Sequence, residues 1–248
     1  MSRDLLDIQD NEGMMPFHYF IKEEVSRYYE RWQDIFELLM TPKNILLRNK
    51  ANQRQLNSAL QFNRNSEMWL KLLENMPDDY DFCIDPEDGS LLHIIFKKSI
   101  KKKVSISVEC LLRIVNALQS KGYNSLFDIQ DDEGMTPFHY FVKEISAYSK
   151  QWQEVFDLLV TQANILLKNK SNETPLDSAL QYNENPEVWS MLLRSMPVGY
   201  TYPHKSGDGS LLHIILKQAI KKYVYFPQKC LVDSINLLQH YNRTTILT

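Results

Sequence analysis

The sequence predicts an all-α protein built as a solenoid of six helix–turn–helix repeats. The first observation is that the chain is nearly its own template. LLDIQDNEGMMPFHYF at Leu5–Phe20 returns as LFDIQDDEGMTPFHYF at Leu126–Phe141. NILLRNK at Asn44–Lys50 returns as NILLKNK at Asn164–Lys170, and DGSLLHII at Asp88–Ile95 returns unchanged at Asp208–Ile215. An offset of about 120 residues marks a duplicated unit. Residues 1–122 then carry repeats 1–3, and residues 123–248 carry repeats 4–6, in one continuous array. The second observation is apolar periodicity within each unit. The third is a turn of fixed composition before every second run.

The periodic runs come in pairs. Trp32, Ile35, Phe36 and Leu39 follow the i, i+3, i+4, i+7 spacing of one helix face. So do Trp69, Leu72, Leu73 and Met76, then Leu111, Ile114, Val115 and Leu118. The second unit repeats the pattern with Trp152, Val155, Phe156 and Leu159, then Trp189, Leu192, Leu193 and Met196. Its last copy is Leu231, Ile235 and Leu238, with Ser234 at the i+3 place. Before each stripe lies another apolar run, such as Phe17, Phe20 and Ile21, or Leu176, Ala179 and Leu180. A helix pair of about 40 residues cannot cover its own apolar face, so neighbours must stack.

The turns have a set order. Repeat 1 reads D-N-E-G-M-M-P-F-H from Asp10, repeat 4 D-D-E-G-M-T-P-F-H from Asp131, and repeat 5 N-K-S-N-E-T-P-L-D from Asn169. The fourth place holds Gly13, Asn52, Asp88, Gly134, Asn172 and Asp208, the residue types that best tolerate positive φ. Two places later stand Ser90, Thr136, Thr174 and Ser210, good helix N-caps. Pro16, Pro137 and Pro175 follow, where a missing N–H costs nothing.

This order resembles the ankyrin repeat, whose signature is D-x-x-G-x-T-P-L-H before two antiparallel helices. The resemblance covers the chain from about Asp7 to Tyr241 and is strongest in repeats 1 and 4. Repeat 2 departs most, with Arg54-Gln55-Leu56-Asn57 in place of T-P-L-H. Phe20-Ile21 and Phe141-Val142 stand where the family has small residues, and the interhelix glycine is absent. The first helices of repeats 1, 3, 4 and 6 are expected to run long, as over Ile21–Tyr28 and Lys97–Lys103. An α-solenoid of another type is the alternative architecture.

Composition bounds the chemistry. The chain has 248 residues, of which 44% are hydrophobic and 24% charged, with a net charge of −3. That charge argues against a nucleic-acid binder. No apolar run of about 18 residues occurs, so no membrane span is expected. MSRDLLDIQD lacks the apolar core of a signal peptide. Three cysteines, Cys83, Cys110 and Cys230, fit a reducing compartment and a cytoplasmic protein. Cys110 and Cys230 read as core thiols.

No phosphate loop, H-E-x-x-H, G-x-S-x-G or C-x-x-C motif is present, so no enzyme, cofactor or metal site is expected. The acidic stretch at Asp85–Gly89 lacks the later ligands of a calcium loop. His18, His93, His139 and His213 fill the T-P-L-H place, and the resemblance implies that they hold the turns rather than a metal. The lysine run at Lys97–Lys103 and its counterpart at Lys217–Lys222 read as solvated helix ends. Nuclear import or an acidic partner is the functional alternative.

The resemblance implies a non-enzymatic protein-interaction module that binds a protein partner through the turns and first-helix face. The residues carried over are Gln9, Asn11, Glu12, Met14 and Lys22 in repeat 1, and Lys50, Ala51 and Gln53 in repeat 2. Repeat 4 offers Gln130, Asp132, Glu133, Met135 and Lys143, and repeat 5 Lys170, Ser171 and Glu173. A partner with a basic, apolar-anchored segment suits the acidic turns, and duplication suits a repetitive or two-fold partner. Tyr19, Tyr28, Tyr29, Tyr140 and Tyr148 are further interface candidates. The repeats nearly fill the chain without caps. The alternative is therefore a substrate-targeting arm of a larger enzyme, or a bacterial effector acting in host cytosol.

Overall fold

The computed structural model describes residues 5–22, 32–41, 43–51, 54–78, 80, 89–100, 106–144, 150–197, 200, 202, 209–225 and 227–244. Among them all regular structure is helical: twelve α-helices, two short 3-10 turns and no strand. The helices pair as the periodicity predicts. They are α1 (Pro16–Lys22) with α2 (Trp32–Leu39), α3 (Gln55–Phe62) with α4 (Ser66–Glu74), and α5 (Leu91–Ile100) with α6 (Val108–Ser120). The second half gives α7 (Pro137–Glu144) with α8 (Lys150–Leu159), α9 (Pro175–Tyr182) with α10 (Pro186–Ser195), and α11 (Leu211–Lys221) with α12 (Gln228–Thr244).

Contacts divide the chain into two compact units. The first holds residues 1–83 and 98–123, the second residues 84–97 and 124–248. The start of α5 thus groups with the later half. The reason is local: Ser90, His93 and Lys97 all bond to residues between 126 and 135, through Leu126 O, Met135 O and Asp131.

In the first unit α1 packs on α2 and α3, α3 on α4, and α4 on α6. Ala59, Met68, Trp69, Leu70 and Leu72 are fully buried. In the second unit α7 packs on α9, α9 on α10 and α11, and α12 on α10 and α11. Trp69 and Trp189 sit at matching places, and each indole donates to a small residue's carbonyl: Ala59 O at 3.1 Å and Ala179 O at 3.2 Å. Trp32 and Trp152 are half-buried.

Asparagines join two of the helix pairs. Asn63 and Asn183 follow the ends of α3 and α9. Asn63 donates to Ile21 O at 2.8 Å, and Asn183 donates to Val142 O at 2.7 Å. Each oxygen then accepts the N–H two residues on, from Asn65 and Asn185, both at 2.7 Å. Asn65 and Asn185 in turn cap α4 and α10. α5 and α11 span 10 and 11 residues against 8 for α3 and α9, as expected for repeats 3 and 6. The predicted extensions over residues 23–28 and 101–103 lie outside the described residues.

Candidate functional site

The turns of repeats 1 and 4 are built from an aspartate upward. Asp10 Oδ1 accepts the N–H of Glu12 at 2.8 Å and of Met14 at 2.9 Å. Asp131 Oδ1 accepts those of Glu133 at 3.0 Å and Met135 at 2.9 Å. Gly13 N–H donates to Asp10 O at 3.0 Å, and Gly134 N–H to Asp131 O at 2.8 Å. Both glycines are left-handed, with φ of 74° and 72°. A Cβ on Gly13 would lie 2.8 Å from Lys50 N, and one on Gly134 2.8 Å from Lys170 N. Glycine is needed because the next turn's backbone passes there. In repeat 5 Asn172 takes the same place at φ 62°. In repeats 3 and 6 the left-handed residues are Gly89 and Gly209, one place later than the alignment expects. Asn52, Asp88 and Asp208 lie outside the described residues.

Successive turns are stitched together. Lys50 N–H donates to Glu12 O at 3.0 Å, and Lys170 N–H donates to Glu133 O at 2.9 Å. The Gln9 amide donates to Gly13 O at 2.9 Å and to Arg48 O at 3.0 Å. The Gln130 amide repeats this with Gly134 O at 2.6 Å and Lys168 O at 2.9 Å. Each glutamine therefore ties its own turn to the next.

Histidines make the second set of ties. Nδ1 of His18, His93, His139 and His213 accepts the N–H of Met15, Ser90, Thr136 and Ser210. The histidine acts like the acid at the third helical residue in a capping box. Thr174 uses Asp177 the same way. His93 Nε2 donates to Met135 O at 2.8 Å, and His139 Nε2 to Glu173 O at 3.2 Å, in the next turn along. Burial lowers both histidines, His139 to about 4. They are neutral at pH 7, and their partners place the proton on Nε2.

Asp131 sits under heavier load than Asp10. Its Oδ2 accepts from Lys97 Nζ and Tyr140 OH, both at 2.9 Å. Burial alone raises its pKa, but Lys97, Tyr140 and the Met135 N–H together outweigh burial and lower it. Tyr140 is buried and pushed far up, by burial and then by Asp131. Asp10 has the matching partner, Tyr19 OH at 2.7 Å, at an exposed site.

The sequence-predicted residues differ in where they lie. Asn11, Glu12, Lys50, Ala51, Asp132, Glu133, Lys170 and Ser171 are exposed at the turn tips. Met14 and Met135 are buried. Their sulfurs accept from Asn49 and Asn169 at 3.5 and 3.3 Å, so they support the turns from beneath and offer no apolar anchor. Gln9 and Gln130 spend their donors on the turns, and Glu173 binds Asn169 through its carboxylate at 3.0 Å. Lys22 and Lys143 stand at the far ends of α1 and α7, roughly 10 Å from the turns. Gln53 lies outside the described residues, as do Tyr28, Tyr29 and Tyr148.

The lysine run does not form a free patch at its start. Lys97 pairs with Asp131, and Lys98 lies over the Trp69 ring at 5.8 Å. Lys101–Lys103 lie outside the described residues. Cys110 and Cys230 are buried free thiols, and burial pushes Cys110 up to about 11, where it is a poor nucleophile. Cys83 is outside the described residues. Among the described residues no three His, Cys, Asp or Glu side chains converge to hold a metal ion. None of the described helices is long and apolar enough to cross a membrane. No family model and no curated protein matches this chain.

Proposed function

We propose that the chain is an ankyrin-type repeat array acting as a non-enzymatic protein-interaction module. The observation that carries this reading is the division of labour at the turns. Gln9, Asp10, His18 and their counterparts Gln130, Asp131 and His139 hold each turn in place. The tips Asn11, Glu12, Asp132 and Glu133 stay exposed. A preorganised row of polar side chains that the fold does not use suits partner recognition.

The tips carry both signs of charge. In each unit an acidic tip is bonded through its backbone to the lysine at the second place of the next turn: Glu12 to Lys50, Glu133 to Lys170. A partner surface with acidic and basic groups side by side fits this pattern. Because both units carry it, a repetitive or two-fold partner follows.

The test is affinity capture with the intact chain beside a variant carrying Glu12→Lys, Lys50→Glu, Glu133→Lys and Lys170→Glu. The expected result is a protein retained by the wild type and lost from the variant, with thermal unfolding unchanged. Equal retention by both would remove the tips from recognition.

A further inference from the structure

A second surface lies at the opposite ends of the first helices of the second unit. The C-terminal ends of α7, α9 and α11 line an open groove of about 580 Å³. Lys143, Tyr182, Lys222, Tyr223 and Tyr225 border it. Lys143 Nζ lies 4.1 Å from the centre of the Tyr182 ring. Lys222 Nζ donates to Asn183 O at 2.9 Å. Among the described residues Glu184 is the one carboxylate at the rim.

The tyrosines are left in water. Tyr182, Tyr223 and Tyr225 are 51%, 96% and 84% exposed. Tyr223 also holds a left-handed backbone, at φ 53°. It follows Lys222, the C-cap of α11. Its N–H donates to Ile220 O at 3.1 Å, and the Val224 N–H donates to Ala219 O at 3.0 Å. α6 ends with the same bond pattern around Gly122, at φ 82°. Glycine takes this conformation freely, and a bulky side chain does so at a cost. The fold recovers nothing for that cost, because the ring touches almost nothing. A strained, exposed tyrosine where glycine serves elsewhere points to a use outside the fold.

The duplication isolates that use. The lysine–ring pair recurs in the first unit, with Lys22 over Phe62 at 5.1 Å, so the pair by itself belongs to the fold. Lys103 and Ser105 stand in sequence where the second unit has Tyr223 and Tyr225. The tyrosines are what the second unit adds.

We propose that this groove binds an extended acidic segment of a partner protein. Its carboxylates meet Lys143 and Lys222, and its apolar side chains lie between the rings of Tyr182, Tyr223 and Tyr225. Two ammonium groups against one rim carboxylate favour an anionic segment. Tyrosine adds apolar area and hydrogen bonds at little entropic cost. A nucleic-acid strand needs a longer row of cations along its backbone. This site is separate from the turn tips and stands whether or not the tips bind.

The test measures fluorescence anisotropy of the full chain with labelled dodecapeptides of Pro-Glu-Leu-Glu repeats. Control probes replace Glu by Gln or Lys, and a fourth probe is a dodecathymidine strand. The acidic peptide is expected to bind about tenfold tighter than the Gln peptide, a difference that a close charge pair supplies. Tyr223→Gly is expected to raise Tm by a few °C, by about the shift that relieved backbone strain gives, while weakening the acidic peptide about tenfold. Lys143→Gln weakens it too, and the four tip reversals leave it unchanged. The proposal is overturned if Tyr223→Gly binds like the wild type. It is also overturned if the Lys peptide or the dodecathymidine binds better, or if the acidic peptide shows no binding at about 1 mM.

Discussion

A neutral histidine bridging two turns is a stability element with a pH signature. His139 is held near 4, chiefly by burial, against about 6.5 in an unfolded chain. Between those values the unfolded chain binds a proton that the folded chain does not. The stability tied to this group is therefore complete above pH 6.5 and is lost as pH falls toward 4, on the order of 3 kcal/mol in all. Urea unfolding of wild type and His139→Gln at pH 7 and pH 5 checks this. The wild type is expected to lose more stability over that interval than the variant, and equal losses would contradict the account. Asp131 loses its contribution in the same direction, at lower pH. Its folded pKa is lowered, so its contribution holds above about pH 4 and is lost as pH falls further. Lys97→Met leaves its carboxylate, whose side chain is 1% exposed, with one partner fewer. The expected loss is about 2–3 kcal/mol. Asp10→Asn, at the exposed matching site, is expected to cost far less. The histidine place was readable in sequence because the motif repeats. The load on Asp131 was not, since Lys97 lies 34 residues away and belongs to another repeat.

Two of the helix pairs, α3 with α4 and α9 with α10, are joined by an asparagine device. No glycine stands between these helices. The structure uses Asn-x-Asn instead, at Asn63 and Asn65 and again at Asn183 and Asn185. The signal was present, since N-R-N and N-E-N occur at matching places. Its meaning required knowing that the side chain reaches the neighbouring first helix. Asn183→Ala removes the bond to Val142 O and the one from Asn185 N–H. Two buried or half-buried polar groups then lack partners, at about 2–4 kcal/mol. Asn63→Ala is expected to cost the same in the first unit, because its bonds to Ile21 O and from Asn65 match within 0.1 Å. Paired denaturation curves check the equality. The helices themselves were legible. Their apolar stripes are tightly spaced, and Trp69, Leu72 and Leu73 of α4 are buried as that spacing requires.

Duplicated sequence has not produced duplicated surroundings. Tyr19 and Tyr140 occupy the same place in FHYF, yet Tyr19 is 43% exposed and Tyr140 8%. The second copy has repeat 3 packed over it, through Lys97 and His93. The tip reversals described above are expected to change stability by less than about 0.5 kcal/mol, since their targets are exposed. Any larger loss would mean that the tips serve the fold after all. The all-helical class, the pairing of helices, and the turn places of Gly13, Gly134 and Asn172 were legible in the residues alone. Those properties are local: a 3.6-residue period, a cap and a left-handed φ are written within about ten residues. Packing between repeats sets which side chains stay exposed. That packing buried Met14 and Met135, committed the amides of the exposed Gln9 and Gln130 to tying the turns, and left Tyr223 in water. Exposure depends on what the neighbouring repeat covers, and no residue carries that information alone.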